Sequence, residues 1–323
     1  MPTLYPPQKV IAVLKLVTAF IRLVRWPNLV FIAVTQLLFL YCVVRPVFDR
    51  AGLVPNIYGW RFGLLCLSSV LIAAAGYIIN DYFDLDIDQV NKPEKMVVEK
   101  IIHRRWTIVW HLALSIAGIV MGFVIDFTSR AFLVGVANFL CVALLFVYSI
   151  SFKKKFLIGN VLISVLTAWV ILVITWSENS HVFSSTSLNV NKILRVTFLY
   201  AGFAFIISLI REVVKDMEDM EGDRRYGGKT MPIVWGVIAT KVFVSVWLSV
   251  IIIALLVVQG YALTLGWWGS VIYMVLLVIA PLFYIFKKLY KAQTPKDYHS
   301  LSSLIKLVMF TGILSMIFFK IYS

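Results

Sequence analysis

The chain has 323 residues, 61% of them hydrophobic, with a mean hydropathy of +0.92 and a formal net charge of +14. These values exclude an ordinary soluble globular domain. They also make nucleic acid a poor explanation of the charge, because the basic residues flank apolar segments, as a positive-inside bias requires.

Windows of about 20 apolar residues mark membrane-spanning helices. In chain order they fall at 27–44, 62–80, 106–125, 131–150, 158–176, 193–212, 233–258, 266–286 and 301–319. The prediction is an all-α, multi-pass membrane protein of nine transmembrane helices, forming a single domain over 1–323. The connections alternate in charge. The N-terminal stretch and the second-to-third, fourth-to-fifth, sixth-to-seventh and eighth-to-ninth connections carry 21 of the 30 Lys and Arg residues, and the opposite side carries seven. Lys241 and Lys306 fall near span ends. The N-terminus is therefore expected on the cytoplasmic side and the C-terminus outside. The first apolar window follows a basic stretch with Trp26 and Pro27 and has no small-residue cleavage site, so no secretory signal is expected. Three cysteines (Cys42, Cys66, Cys141) and four histidines are scattered without metal-ligand or disulfide spacing.

Acidic residues are distributed differently. Twelve of the sixteen sit in two stretches. One is Asn80-Asp81-Tyr82-Phe83-Asp84-Leu85-Asp86-Ile87-Asp88, trailing to Glu94 and Glu99. The other runs from Glu212 through Asp216, Glu218, Asp219 and Glu221 to Asp223. Each follows a span predicted to run from outside to inside, the second and the sixth. If each stretch continues its helix, Asp81, Asp84 and Asp88 share a face within roughly 60°, and Asp86 points away. Asp216, Asp219 and Asp223 repeat the spacing, with Glu212 on the same face and Glu218 and Glu221 turned away. The sets are 135 residues apart, which suggests an internal pseudo-repeat.

Such clusters repel themselves. Like charges at i,i+4 cost a few tenths of a kcal/mol even when exposed, and more near lipid. The C-terminal end of a helix disfavours anions further. Only Lys92, four positions after Asp88, is a basic residue at helical spacing from the first set. Solvated loop acids balancing nearby Lys and Arg would explain one cluster but poorly explain a matched pair. Hard divalent cations do neutralise carboxylates, and Mg²⁺ characteristically combines one or two of them with substrate phosphate and water. Two facing clusters can therefore grip a diphosphate. A calcium-binding EF-hand loop is disfavoured, because Val90 stands where its invariant glycine would fall.

At these residues the chain resembles the UbiA-type intramembrane prenyltransferases. Their first motif, N-D-x-x-D-x-x-x-D, is matched by Asn80, Asp81, Asp84 and Asp88. Their second, D-x-x-x-D, is matched by Asp219 and Asp223, with Asp216 upstream. Arg22, Arg25, Trp26, Pro27 and Asn28, and Tyr148-Ser149 followed by Lys153 and Gly159-Asn160, extend the likeness over nearly the whole chain. Lys215-Asp216-Met217-Glu218-Asp219 with Gly228-Lys229-Thr230, together with Asn91-Lys92-Pro93, is most similar to the digeranylgeranylglyceryl phosphate synthase branch. The segment Met96-Val97-Val98 departs from relatives that often carry a proline there.

The resemblance implies nine helices around a central cavity opening to the cytoplasmic side. It implies Mg²⁺-dependent transfer of a prenyl group from an allylic isoprenyl diphosphate to a lipid-like or aromatic acceptor, foremost geranylgeranylglyceryl phosphate, within membrane lipid. Asn80, Asp84 and Asp88 are the expected ligands of one metal site and Asp219 and Asp223 of the other, with Asp81 and Asp216 supporting them. Arg25, Lys92, Lys153 and Lys229 are candidates for diphosphate oxygens, against an ordinary topological role. Tyr148 is expected to orient the diphosphate or face a cation. An aromatic prenyltransferase of quinone, chlorophyll or tocopherol type is the alternative within the family. A cation-coupled transporter and a lipid phosphotransferase are the alternatives outside it. The spans lack mid-membrane acids and paired broken helices, which argues against the transporter.

Overall fold

The computed structural model describes residues 8–91, 93–131, 133–178 and 189–322, and among these every named element is a helix. α1 (Gln8–Leu23) leads to Arg25, whose left-handed backbone (φ 52°) turns the chain into α2 (Trp26–Leu38). Pro27 stands in the first turn of α2, where its missing N–H costs nothing. Beyond α2 the helix widens into a π-helical stretch, Phe39–Val44, and resumes as α3 (Arg45–Arg50). Pro46 accounts for the widening, since it cannot donate to the carbonyl four residues back and its ring crowds that carbonyl.

The chain continues through α4 (Trp60–Phe83), α5 (Leu85–Asn91), α6 (Arg104–Ser129), α7 (Val134–Ile150) and α8 (Ile158–Ser177). There follow α9 (Val190–Glu218), α10 (Met220–Arg225), α11 (Met231–Val234) and α12 (Gly236–Thr264). α13 (Trp268–Met274) and α14 (Ala280–Lys291) are joined by a second π-helical stretch, Val275–Ile279, again just ahead of a proline, Pro281. α15 (Pro295–Leu314) and α16 (Met316–Tyr322) close the chain.

All nine apolar windows fall on helices. Eight lie on helical units long and apolar enough to cross a bilayer, and the ninth lies on α7, which is apolar but has 17 residues. The protein is an integral, multi-pass membrane protein. Its outer surface agrees: α12 turns Ile238, Val242, Val246, Ile253 and Val257 outward, a stripe suited to lipid rather than water.

Close helix approach depends on small residues, as in membranes generally. A Cβ on Gly122 of α6 would lie 2.8 Å from the Cα of Gly135 on α7, and one on Gly118 would lie 2.7 Å from Ile72 on α4. Asn138 of α7 donates to the Gly118 carbonyl at 2.9 Å, so the contact is polar as well as tight. At the opposite end from the acidic motifs, Glu178 is buried beyond the end of α8. It accepts backbone N–H bonds from Asn56 (2.7 Å) and Ile57 (2.6 Å), pinning the connection between α3 and α4.

Candidate active site

The two acidic stretches each contain a break that the continuous-helix reading did not foresee. α4 stops at Phe83, and Asp84 stands between α4 and α5 at φ −93°, ψ 3°. Its N–H still bonds the Asn80 carbonyl (3.0 Å), and the Asp88 N–H bonds the Asp84 carbonyl (2.8 Å). Asp219 stands between α9 and α10 at φ −95°, ψ 8°. Its N–H bonds the Lys215 carbonyl (2.9 Å), and the Asp223 N–H bonds the Asp219 carbonyl (3.2 Å). The suggested pseudo-repeat is thus present in the backbone, residue against residue.

The breaks also correct the electrostatics. Asp88 and Asp223 lie in the first turns of α5 and α10, ends that favour anions, and not at the tails of long helices. Glu218 was expected to point away, yet it lines the chamber and pairs with His299 of α15 at 2.9 Å. Asp86 and Glu221 are exposed and outside the chamber lining, as the spacing indicated.

Asn91 joins the two halves. Its Nδ2 donates to the Asp219 carbonyl (3.0 Å), and its Oδ1 accepts the Gly222 N–H (2.9 Å). A Cβ on Gly222 would fall 2.5 Å from Asn91, so the glycine is required by this contact and not by an unusual φ.

Between the two acidic walls is a polar chamber of about 740 Å³. Nine carboxylates and seven Lys or Arg side chains line it. Asn80, Asp81, Asp84, Asp88, Asp216, Asp219 and Asp223 are all among them, with Arg25, Lys153 and Tyr148. Lys229 is exposed and outside that lining; its backbone N–H bonds the Lys154 carbonyl at 2.7 Å. Lys92 lies outside the described residues. A second, largely apolar chamber of about 290 Å³ reaches toward the membrane interior between Phe31, Ile32, Leu145, Leu166 and Met309. Arg25, Asn28, Asn80, Tyr148, Arg211, Glu212, Lys215 and Lys306 border both chambers and form the neck between them.

Long-range cations, invisible to a search at helical spacing, hold several of the acids. Arg25 meets Asp81 at 2.7 Å and lies over the Tyr77 ring, 5.1 Å from its centre. Lys153 meets Asp84 at 2.5 Å, and Asn80 donates to the other Asp84 oxygen at 2.7 Å. Asn160 donates to Asp216 at 2.8 Å. Asp81, Asp84 and Asp216 are thus all engaged with side chains around the chamber.

The chamber is lined by oxygen donors, which Mg²⁺, a hard cation, prefers. Asn80 Oδ1 is buried without a hydrogen-bond partner, and carboxylate oxygens surround the chamber it borders. Among the described residues no three His, Cys, Asp or Glu side chains converge as a ready-made metal cage. That suits an ion that takes one or two carboxylates and completes its shell with phosphate and water. The residues fit the ion.

Asn91, Arg211 and Lys306 were not singled out from sequence as site residues. Lys306 was placed near a span end, but α15 begins at Pro295, so Lys306 is well inside the helix and faces the neck. The available signal was a lone lysine within an apolar span, the membrane equivalent of a buried charge.

Comparison with known proteins gives a concordant picture. The model of the UbiA prenyltransferase family matches residues 38–313. The digeranylgeranylglyceryl phosphate synthase of Methanosphaera stadtmanae is 26% identical over 266 residues, 82% of this chain and 89% of that protein. The synthase of the same name from Korarchaeum cryptofilum is 30% identical over 265 residues, 81% of this chain and 86% of that protein. Among solved structures, one of a digeranylgeranylglyceryl phosphate synthase in membranes superposes with a TM-score of 0.60 at 21% identity, covering 93% of this chain and 98% of that one. A UbiA homologue from Archaeoglobus fulgidus bound to DMAPP and Mg²⁺ superposes with a TM-score of 0.52 at 15% identity, covering 92% and 98%.

Proposed function

This chain belongs to the UbiA prenyltransferase family and is a membrane prenyltransferase, and we propose that it transfers a geranylgeranyl group from its diphosphate to geranylgeranylglyceryl phosphate. The observation that carries this reading is the joined pair of chambers. Matched acidic walls enclose a space suited to a metal-bound diphosphate, and an apolar chamber opens from it for isoprenoid chains. The names of the similar synthases support the phosphorylated glyceryl acceptor. We read the whole chain as one transmembrane domain, with α7 as a ninth span, the polar chamber and N-terminus cytoplasmic, and the C-terminus outside.

In this reading Asn80, Asp84 and Asp88 would hold Mg²⁺ on one wall and Asp219 and Asp223 on the other. Asp81 and Asp216 steady those walls through Arg25 and Asn160. When bound, Mg²⁺ would neutralise charge on the departing diphosphate. Lys153, which holds Asp84 in this structure, keeps its ammonium beside the first wall and adds a fixed positive charge where the leaving group gains negative charge. Tyr148 borders both chambers, where its ring would shield an allylic carbon with cationic character. The apolar chamber keeps water from a carbon with cationic character. The acceptor hydroxyl oxygen forms the new bond to the allylic carbon as the carbon–oxygen bond to diphosphate breaks. Diphosphate leaves with the electron pair, and the hydroxyl proton is released.

The test incubates purified protein with Mg²⁺, labelled geranylgeranyl diphosphate and either geranylgeranylglyceryl phosphate or 4-hydroxybenzoate. The glyceryl acceptor is expected to be prenylated, and Asp84→Ala or Asp219→Ala to abolish transfer while the protein stays folded and extractable. Full activity in both variants, or in EDTA, would sink the metal-diphosphate reading. Prenylation of 4-hydroxybenzoate alone would replace the acceptor and keep the donor.

A further inference from the structure

The neck between the chambers has an excess of positive charge that the acidic walls do not absorb. Arg211 and Lys215 of α9 share one carboxylate, Glu212, at 2.9 and 3.2 Å. Lys306 reaches in from α15 and donates to Asn28 Oδ1 at 2.6 Å; among the described residues it has no carboxylate partner. Among the residues that border both chambers, these three cations thus share one carboxylate, with Asp216 of the polar chamber also near Lys215. The Arg211 Nε is buried and has no hydrogen-bond partner, so a directed donor is still unspent. Partly buried cations in excess beside apolar surroundings are costly unless an anion completes them.

We propose that Arg211, Lys215 and Lys306 form a metal-independent site for the phosphate monoester of the acceptor, distinct from the metal-bound site of the donor diphosphate. The proposal rests on the reading of a phosphorylated lipid acceptor given above. Its chemistry follows from location. The three cations border both chambers, so a phosphate held there leaves its isoprenoid tail free to enter the apolar chamber beside Met309 and Phe31. The donor diphosphate has a different neighbourhood, the Asp84 and Asp219 walls, where direct contact between anions is repulsive without metal. A phosphate monoester carries roughly −1.5 to −2 charges near neutral pH, which matches the two cations that Glu212 leaves unbalanced. Lys306 contributes a point charge and Arg211 a planar fork with its Nε donor available.

The site separates from the transfer reaction in a binding experiment. The full chain in nanodiscs is titrated with labelled geranylgeranylglyceryl phosphate in EDTA, without donor. Wild-type protein is expected to bind it. Lys306→Met should weaken binding about tenfold, as expected for losing one charge-assisted contact; Lys306→Arg should restore most of it, and Asp84→Ala should leave it unchanged. Geranylgeranylglycerol, which lacks the phosphate, should bind wild-type and Lys306→Met protein alike. In turnover, Lys306→Met should raise the KM for acceptor and leave the KM for geranylgeranyl diphosphate within twofold, which also certifies that the variant is folded. The proposal is overturned if acceptor binding needs Mg²⁺, if Lys306→Met binds normally, if only the donor KM rises, or if 4-hydroxybenzoate displaces the lipid as well as its unlabelled form. Normal metal-independent binding without any transfer would leave the site standing and defeat the proposed reaction instead.

Discussion

Replacing Asn91 tests whether the acidic walls act as one unit. Asn91→Ala removes two hydrogen bonds, to the Asp219 carbonyl at 3.0 Å and from the Gly222 N–H at 2.9 Å. Unmade bonds to partly buried backbone groups cost on the order of 1–3 kcal/mol together. The effect on rate should exceed the effect on stability. Asn91 ties the end of α5 to the start of α10, and a misplacement of about 1 Å between reacting groups can cost on the order of 10²-fold. The converse change crowds the same contact: the Cβ of Gly222→Ala would meet Asn91 at 2.5 Å, too close without a shift of the asparagine. Both single variants should therefore lose one to two orders of magnitude in transfer and need more Mg²⁺ for half-maximal rate. The double variant Asn91→Ala/Gly222→Ala has room for the added methyl and should be less impaired than the sum of the singles. Initial rates across a Mg²⁺ series, with thermal unfolding of the detergent-purified proteins, decide the matter. An unchanged Mg²⁺ requirement in both singles, or strict additivity in the double, would refute the idea that this contact sets the spacing of the walls.

At the far end of the molecule, burial pushes the Glu178 carboxyl up to about 7 despite the N–H bonds from Ile57 and Asn56, against an ordinary value of 4.5. The folded protein thus binds a proton there that the unfolded chain has already lost. Stability from this group is present in full below about pH 4.5, falls as pH rises toward 7, and is then gone; the loss is at most about 3 kcal/mol. Thermal unfolding between pH 5 and 7 should show this decline, and Glu178→Gln should flatten it. Between α6 and α7, Gly122→Val would force atoms into a 2.8 Å gap and should cost about 1–3 kcal/mol, read as a lower unfolding temperature in nanodiscs without a change in the Mg²⁺ requirement.

The spans were legible because hydropathy over about 20 residues is a local property, and all nine windows fell on helices. The acidic motifs were legible because twelve acids in an acid-poor chain are conspicuous. Their geometry was less so. Helical periodicity places residues around a cylinder only while the cylinder continues, and it stops at Asp84 and Asp219. For that reason Glu218 was placed on the wrong side. The partners of the acids were hidden for another reason: Arg25 lies 56 residues from Asp81, and Lys153 lies 69 from Asp84. Such pairings belong to the packing of helices, which spacing along the chain does not encode. Lys306 could have been noticed as a charge inside a span, but its counterpart Asn28 is 278 residues away.

The twin breaks act as a depth gauge. α4 is 24 residues long, which at 1.5 Å per residue is roughly 36 Å, a little more than the roughly 30 Å of bilayer hydrocarbon. α9, at 29 residues, is longer still. Since Asp84 and Asp219 cap these two helices through bonds to the residues four earlier, each carboxylate is carried at a helix end. One residue more or less in either span would move its aspartate by about 1.5 Å and swing it by about 100° relative to its partner. Span length, usually read as a match to membrane thickness, here also sets the register between the two acidic walls. In the proposed reaction, carboxylates carried at helix ends would spare the polar heads of both substrates from being drawn into the hydrocarbon to react.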